Sequence, residues 1–141
     1  MKTVTVQPHK SSLGMEANIA VVVMYIIMVV LSWIMYANFL SWAVPLVFFF
    51  IEKESRFVKY QSIQALGIGV VSAVISLLLQ IILWSSLWAG GLGALALVSA
   101  LSIIVGIAIT ALVVYIVYMA FNYKIVELPV IGPIAKKASN Q

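Results

Sequence analysis

Residues 60–123 read YQSIQALGIGVVSAVISLLLQIILWSSLWAGGLGALALVSALSIIVGIAITALVVYIVYMAFNY, without one Lys, Arg, Asp, Glu or His. A transmembrane helix takes about 20 apolar residues at ~1.5 Å rise, so this stretch is too long for one span and suits two with a turn between them. The expected turn is residues 84–93 (WSSLWAGGLG). Its glycines loosen a helix, and its tryptophans favour the lipid–water interface.

Upstream, residues 17–51 are also free of charge. One helix of that length would reach roughly 50 Å, more than a ~30 Å hydrocarbon core accepts without extreme tilt. A break is expected at residues 36–42 (YANFLSW). Pro45 just beyond it cannot donate to a helix ladder but fits a first turn. The reading is one span over 18–36 and a short return over 41–51, which is re-entrant if neighbouring protein covers it.

The Lys, Arg and Glu residues fall into three clusters: Lys2 to Glu16, Glu52 to Lys59 and Lys124 to Lys137. With 65% hydrophobic and 9% charged residues, the chain could not cover its own surface in water, where globular proteins average near ~25% charged. Flanking Lys and Arg stay cytoplasmic, and four crossings put all three clusters inside. Three crossings would leave Lys2, Lys10 and Glu16 outside, against that rule. The expected fold is therefore an all-α polytopic membrane protein of four transmembrane helices in two hairpins, the second helix short or re-entrant. Residues 1–16 and 124–141 are expected as cytoplasmic tails around a membrane domain of residues 17–123.

Several function classes fall away. The chain has no cysteine, one histidine and no aspartate. Intramembrane hydrolysis would need paired acids, a serine with a base, or metal ligands at helical spacing. His9 reads as a solvated tail residue without a second ligand, and Gly90, Gly91 and Gly93 lack the lysine and strand of a phosphate loop. Neither enzymatic activity nor a cofactor is expected. The net charge of +4 favours anionic headgroups on the cytoplasmic side over nucleic acid, for which no aromatic-interleaved basic patch is present.

Three local motifs carry a resemblance. SLGMEANIA (residues 12–20) opens the first span, IEKESRFVKYQSIQAL (51–66) joins the second and third, and ELPVIGPIAK (127–136) follows the last. In that order they resemble a family of small bacterial membrane proteins described as similar to a chloroplast inner-envelope import component, the Tic-twenty-like family. The resemblance implies a helical multi-span fold in a bacterial plasma membrane, and a link to protein translocation. The family's frequent histidine is replaced here by Gln61, which removes a proton relay at that position. Its frequent acid after the last glycine is replaced by Pro133.

Three sets of residues are candidates for function. The first is the charged connection Glu52, Lys53, Glu54 and Arg56, with Phe57 and Lys59 entering the third helix. It orients the spans, or docks a partner through the Glu52 and Glu54 acceptors. The second is a polar face. Ser72, Ser76 and Gln80 recur every four residues beside a small row through Ala65, Gly69 and Ala73, and Ser102, Gly106 and Thr110 repeat the spacing in the fourth helix. Packing of the third helix on the fourth, with hydroxyls and Gln80 bonding across, is the plain reading. A polar path with Gln61 and Gln64 at its cytoplasmic mouth is the sharper one. The third set is the tail: Leu128, Pro129, Gly132 and Pro133 interrupt any crossing helix. That segment is expected against the cytoplasmic surface or folded onto the Glu52–Lys59 loop, with Lys136 and Lys137 touching headgroups.

These readings converge on a non-enzymatic membrane scaffold or accessory subunit that self-associates or joins a larger membrane complex. The alternative is a small oligomeric pore or carrier for ions or small solutes. No ionisable residue lies inside the apolar stretches, which weighs against ion transport.

Overall fold

The computed structural model describes residues 2–34, 40–89 and 91–139, the side chain of Trp33 apart. In chain order the elements are β1 (Lys2–Thr5), α1 (Ala17–Trp33), α2 (Ala43–Ile51), α3 (Arg56–Trp88), α4 (Leu92–Phe121), β2 (Lys124–Glu127) and α5 (Ile131–Ser139). The chain is mostly helical, as expected, with a two-stranded sheet added. Among the described residues α3 and α4 are long and apolar enough to cross a membrane. At ~1.5 Å per residue α1 reaches about 25 Å and α2 about 14 Å.

The boundaries follow local chemistry. Pro45 lies in the first turn of α2, where no helical N–H is required of it, and is buried. Ser55 caps α3: its hydroxyl accepts the Val58 N–H at 3.2 Å and its carbonyl the Lys59 N–H at 3.2 Å. The turn between α3 and α4 is shorter than expected, because residues 84–88 stay helical. The Ala89 N–H still donates to the Ser85 carbonyl at 3.1 Å. The hydroxyls of Ser85 and Ser86 fold back onto the Ile82 carbonyl at 2.9 and 2.7 Å, so these serines do not break the helix. The expected break at 36–42 falls largely on residues 35–39, outside the described residues; α1 ends earlier than expected, at Trp33.

Two compact units divide the chain: residues 1–69 with 115–141, and residues 70–114. In the first, β1 pairs antiparallel with β2, Lys2 opposite Glu127 and Thr5 opposite Lys124. The two terminal segments are thus bound to each other. α4 ends because Tyr123 takes a left-handed conformation, φ 54°, which turns the chain into β2. The tyrosine is held there by its ring, 5.7 Å from that of Phe57, and by its hydroxyl, which donates to the His9 carbonyl at 3.3 Å. Residues 10–16 form a tight loop closed by Ser11 N–H to Met15 O at 2.8 Å, with Gly14 at φ 83° supplying the left-handed step. The core of this unit is Ala17, Val21 and Met24 of α1, Phe57, Val58 and Tyr60 of α3, Ile116 and Ala120 of α4, and Ile125 and Val126 of β2.

The C-terminal motif is built into the first unit. Leu128 is buried, the Gly132 N–H donates to the Leu128 carbonyl at 2.9 Å, and Pro133 sits in the first turn of α5. α5 is seated on α3. A Cβ on Gly67 would lie 2.7 Å from Ile131 Cγ2, so only glycine admits the helix at this depth. Lys136 pairs with Glu127 at 2.5 Å and stays partly exposed; Lys137 is exposed.

The second unit holds residues 70–114 of α3 and α4 and carries no charged residue. Most of its large apolar side chains face outward, Val98 excepted. Leu77, Leu78, Ile81, Ile82, Ile103 and Ile107 are all at least half exposed in the isolated chain.

Candidate functional site

Glu52 is the centre of the first unit's polar chemistry. Its side chain is buried, 1% exposed. One carboxylate oxygen accepts the Ser11 hydroxyl. The other accepts the Ser12 N–H at 3.0 Å, the Ser12 hydroxyl at 2.8 Å, the Glu54 N–H at 3.0 Å and the Ser55 N–H at 2.9 Å. The Ser12 hydroxyl in turn accepts the Lys53 N–H at 3.0 Å. Burial alone would raise the carboxyl pKa, but the bonds from Ser11, Ser55 and Ser12 favour the charged form and bring it down from 4.5 to about 2. Glu52 is therefore a fixed anion already filled by its own chain. The docking role expected of it as a free acceptor is corrected; Lys53, Glu54 and Arg56 remain exposed. Phe57, expected at the membrane interface, is core at 1% exposed, and Lys59 lies over the Phe49 ring at 6.0 Å.

His9 adds a second tie. Its Nδ1 lies 2.8 Å from the Gln7 carbonyl, which can only accept. In the neutral ring Nδ1 therefore carries the proton, and Nε2 accepts the Ser55 hydroxyl at 2.6 Å. His9 is half-buried against Phe57 and Tyr123, with centroids at 6.3 and 6.0 Å, so the solvated-tail expectation is corrected. A serine hydroxyl directed at an imidazole has the form of an activated nucleophile. Here Ser55 is 1% exposed and also caps a helix, which leaves a substrate no approach. The arrangement is a latch. It binds the amino-terminal loop to the α2–α3 connection.

Two amides complete the unit. The Asn18 amide donates to the Phe121 carbonyl at 2.8 Å, tying the start of α1 to the end of α4. Gln64 donates to the Val126 carbonyl at 3.0 Å, beneath β2. Gln61 and Gln64 are fully buried in this unit and not at an open mouth. Among the described residues the Gln61 amide and the Gln64 carbonyl oxygen have no hydrogen-bond partner.

In the second unit, Ser76, Gln80, Ser102 and Gly106 line one groove between α3 and α4, about 240 Å³; Ser72 and Thr110, expected on the same faces, are not part of its lining. The expected bonds across it are not the ones Ser102 and Thr110 make. Ser102 donates to its own helix at Val98 O, 2.9 Å, and Thr110 to Gly106 O, 2.8 Å. Among the described residues, the side chains of Ser76 and Gln80 make no hydrogen bond. Gly69 belongs to the first unit, where its small surface meets Trp42: a Cβ there would lie 3.9 Å from the Trp42 Cβ.

The latch residues His9, Ser11, Ser12 and Ser55 escaped sequence reasoning. One signal was present: Ser55 directly before a helix is an N-cap residue type. The partnership of Ser11 with Glu52 left no local trace. Set against known protein families, curated proteins and solved structures, the chain finds no match.

Proposed function

We propose that this chain is a multi-pass protein of a bacterial plasma membrane that acts without catalysis, as a scaffold or accessory subunit of a membrane complex. One observation carries the reading: the three charged clusters are bonded to one another. Ser11 and Ser12 hold Glu52, and Lys2 to Thr5 pair with Lys124 to Glu127. Chain segments that bond directly share one side of a bilayer, which supports two hairpins with both termini on the Lys/Arg-rich cytoplasmic face. The nine residues of α2 are too few to cross, which favours the re-entrant form of the second arm. The outward apolar faces of α3 and α4 fit lipid or partner helices, since a soluble surface of that kind would aggregate.

A role beside a protein-translocation complex is what the family resemblance suggests. The filled Glu52 site and the buried Ser55 support a structural part in it. The pore or carrier reading is favoured by the groove at Ser76, Gln80 and Ser102 alone. Crosslinking in native membranes, followed by identification of what co-purifies, tests the proposal. Covalent partners or self-complexes are expected, and recovery at monomer mass alone overturns it. Liposomes holding the purified protein should pass no ions; flux abolished by Gln80→Leu would replace the scaffold with the pore. Single cysteines at Thr3 and Ser86 should label from outside the cell only at Ser86.

A further inference from the structure

We propose that the free edge of β1 docks a second copy of this chain, the two β1 strands pairing antiparallel so that the small sheets of both copies become one. The inference rests on the membrane-scaffold reading above and gives it a partner and a surface.

The ladder between β1 and β2 fixes where each backbone group points. Continuing its register, Val6 lies opposite Tyr123 and donates its N–H to the Tyr123 carbonyl at 2.8 Å. Hydrogen-bonded pairs alternate along an antiparallel ladder, so Val4 with Ile125 and Lys2 with Glu127 are the next two. Thr3 and Thr5 fall between them. Their N–H and C=O groups therefore point away from β2. On β2 the same alternation turns the Val126 carbonyl outward, and there the Gln64 amide takes it at 3.0 Å.

The two edges thus differ. The edge of β2 is closed at Val126 by a side chain of α3. Every residue of β1 is exposed, and the outward backbone groups of Thr3 and Thr5 meet no partner among the described residues. Sheet edges are usually blunted by charge, proline or a covering element. Here both outward-bonding positions carry threonine, a good strand former, and the one charge, Lys2, stands at the strand's tip.

The strand is its own complement, and this selects the occupant. When a two-fold axis passes beside Val4, Thr3 lies opposite the second copy's Thr5, and Thr5 opposite its Thr3. All of these are outward positions, so two hydrogen-bonded pairs form together. Threonine facing threonine and valine facing valine are favourable cross-strand neighbours. Lys2 lies opposite the second copy's Val6 rather than another cation, with Glu127 on its other side. Shifting the register by two residues sets one threonine against itself and sends the other past the end of the strand. In the membrane reading all copies hold their amino termini on one face, which brings such edges together.

The chain contains no cysteine, so a single introduced cysteine reports unambiguously. Val4→Cys places the two thiols at a non-hydrogen-bonded pair, where Cα atoms stand about 4.5 Å apart and a disulfide fits. Oxidised native-membrane vesicles should give a species of twice the monomer mass with Val4→Cys, and far less of it with Lys137→Cys, exposed on α5. Thr5→Pro removes an outward N–H and none that bonds β2. Energy transfer between labelled full-length copies in lipid vesicles should show its association weakened about tenfold, with thermal unfolding near the parent's. A chain with Thr3→Lys and Thr5→Lys should associate poorly with itself and recover when mixed with a chain carrying Thr3→Glu and Thr5→Glu. These variants keep every backbone bond, so they decide the matter if Thr5→Pro is unstable. Equal linking at both cysteine positions, linking of Val4→Cys to a different protein, unchanged association in Thr5→Pro, or no recovery in the mixed sample overturns the proposal. Parent protein absent from the membrane pellet would instead sink the membrane reading; a membrane-bound parent whose Val4→Cys form does not link sinks the strand pairing alone.

Discussion

The Glu52 carboxylate accepts the hydroxyl of Ser11, 41 residues earlier in the chain. Between the two run α1 and α2, so this bond closes a loop whose ends return to one place. The same carboxylate takes the N–H groups of Glu54 and Ser55 just ahead of α3. One side chain thus anchors the amino-terminal loop and shapes the entry to the longest helix.

Truncating Glu52 should loosen both. Glu52→Ala leaves the donors of Ser11, Ser12, Glu54 and Ser55 without their acceptor inside a buried site, a loss of about 3 kcal/mol. Glu52→Gln keeps one accepting oxygen and should lose about half as much. Thermal unfolding of the detergent-solubilised protein, with tryptic cleavage at Lys10 as the local readout, checks both values. A parent-like melt and parent-like cleavage in Glu52→Ala would mean that the latch carries no stability.

Acid should open the latch in a defined window. The folded Glu52 carboxyl sits at about 2 against an ordinary 4.5. A depressed carboxylate stabilises the fold in full above about pH 4.5, and its contribution is lost as pH falls through about 2. Amino-terminal protection against an acid-active protease should therefore fall between those values in the parent. The Glu52→Gln variant should lack that component of the pH dependence.

Gly67 should tolerate no side chain while Ile131 faces it. Gly67→Ala places a methyl 2.7 Å from Ile131 Cγ2 and 3.1 Å from Cγ1, atoms close to the backbone of a β-branched residue that has little freedom to turn away. The expected loss is about 1–3 kcal/mol, with α5 displaced and Lys136–Lys137 cut faster by trypsin. Adding Ile131→Ala should recover most of it. Additive losses in the double variant would show that the two residues do not meet.

Much of the fold was legible because helix length and apolarity are simple properties of a sequence. Length and apolarity marked α3 and α4, and Pro45 marked a helix start. The failures share a cause. The tails read only as cytoplasmic segments because a charge count does not register pairing, yet Lys2–Thr5 and Lys124–Glu127 form a ladder across nearly the whole chain length. His9 looked solvated because its partners, Gln7 O and Ser55, are a carbonyl and a hydroxyl that no metal or catalytic spacing flags. Gly67 passed unnoticed among the small residues of α3, since its value depends on Ile131.

The sequence by itself determined where this chain is apolar and where its charges gather, because the cost of burying an ion in hydrocarbon depends on residue type and little else. Only the tertiary structure decided what those charges do. Hydrogen bonds act over about 3 Å, so whether Glu52 is a free acceptor or a filled one turned on folding having brought Ser11 to it from the far end of two helices.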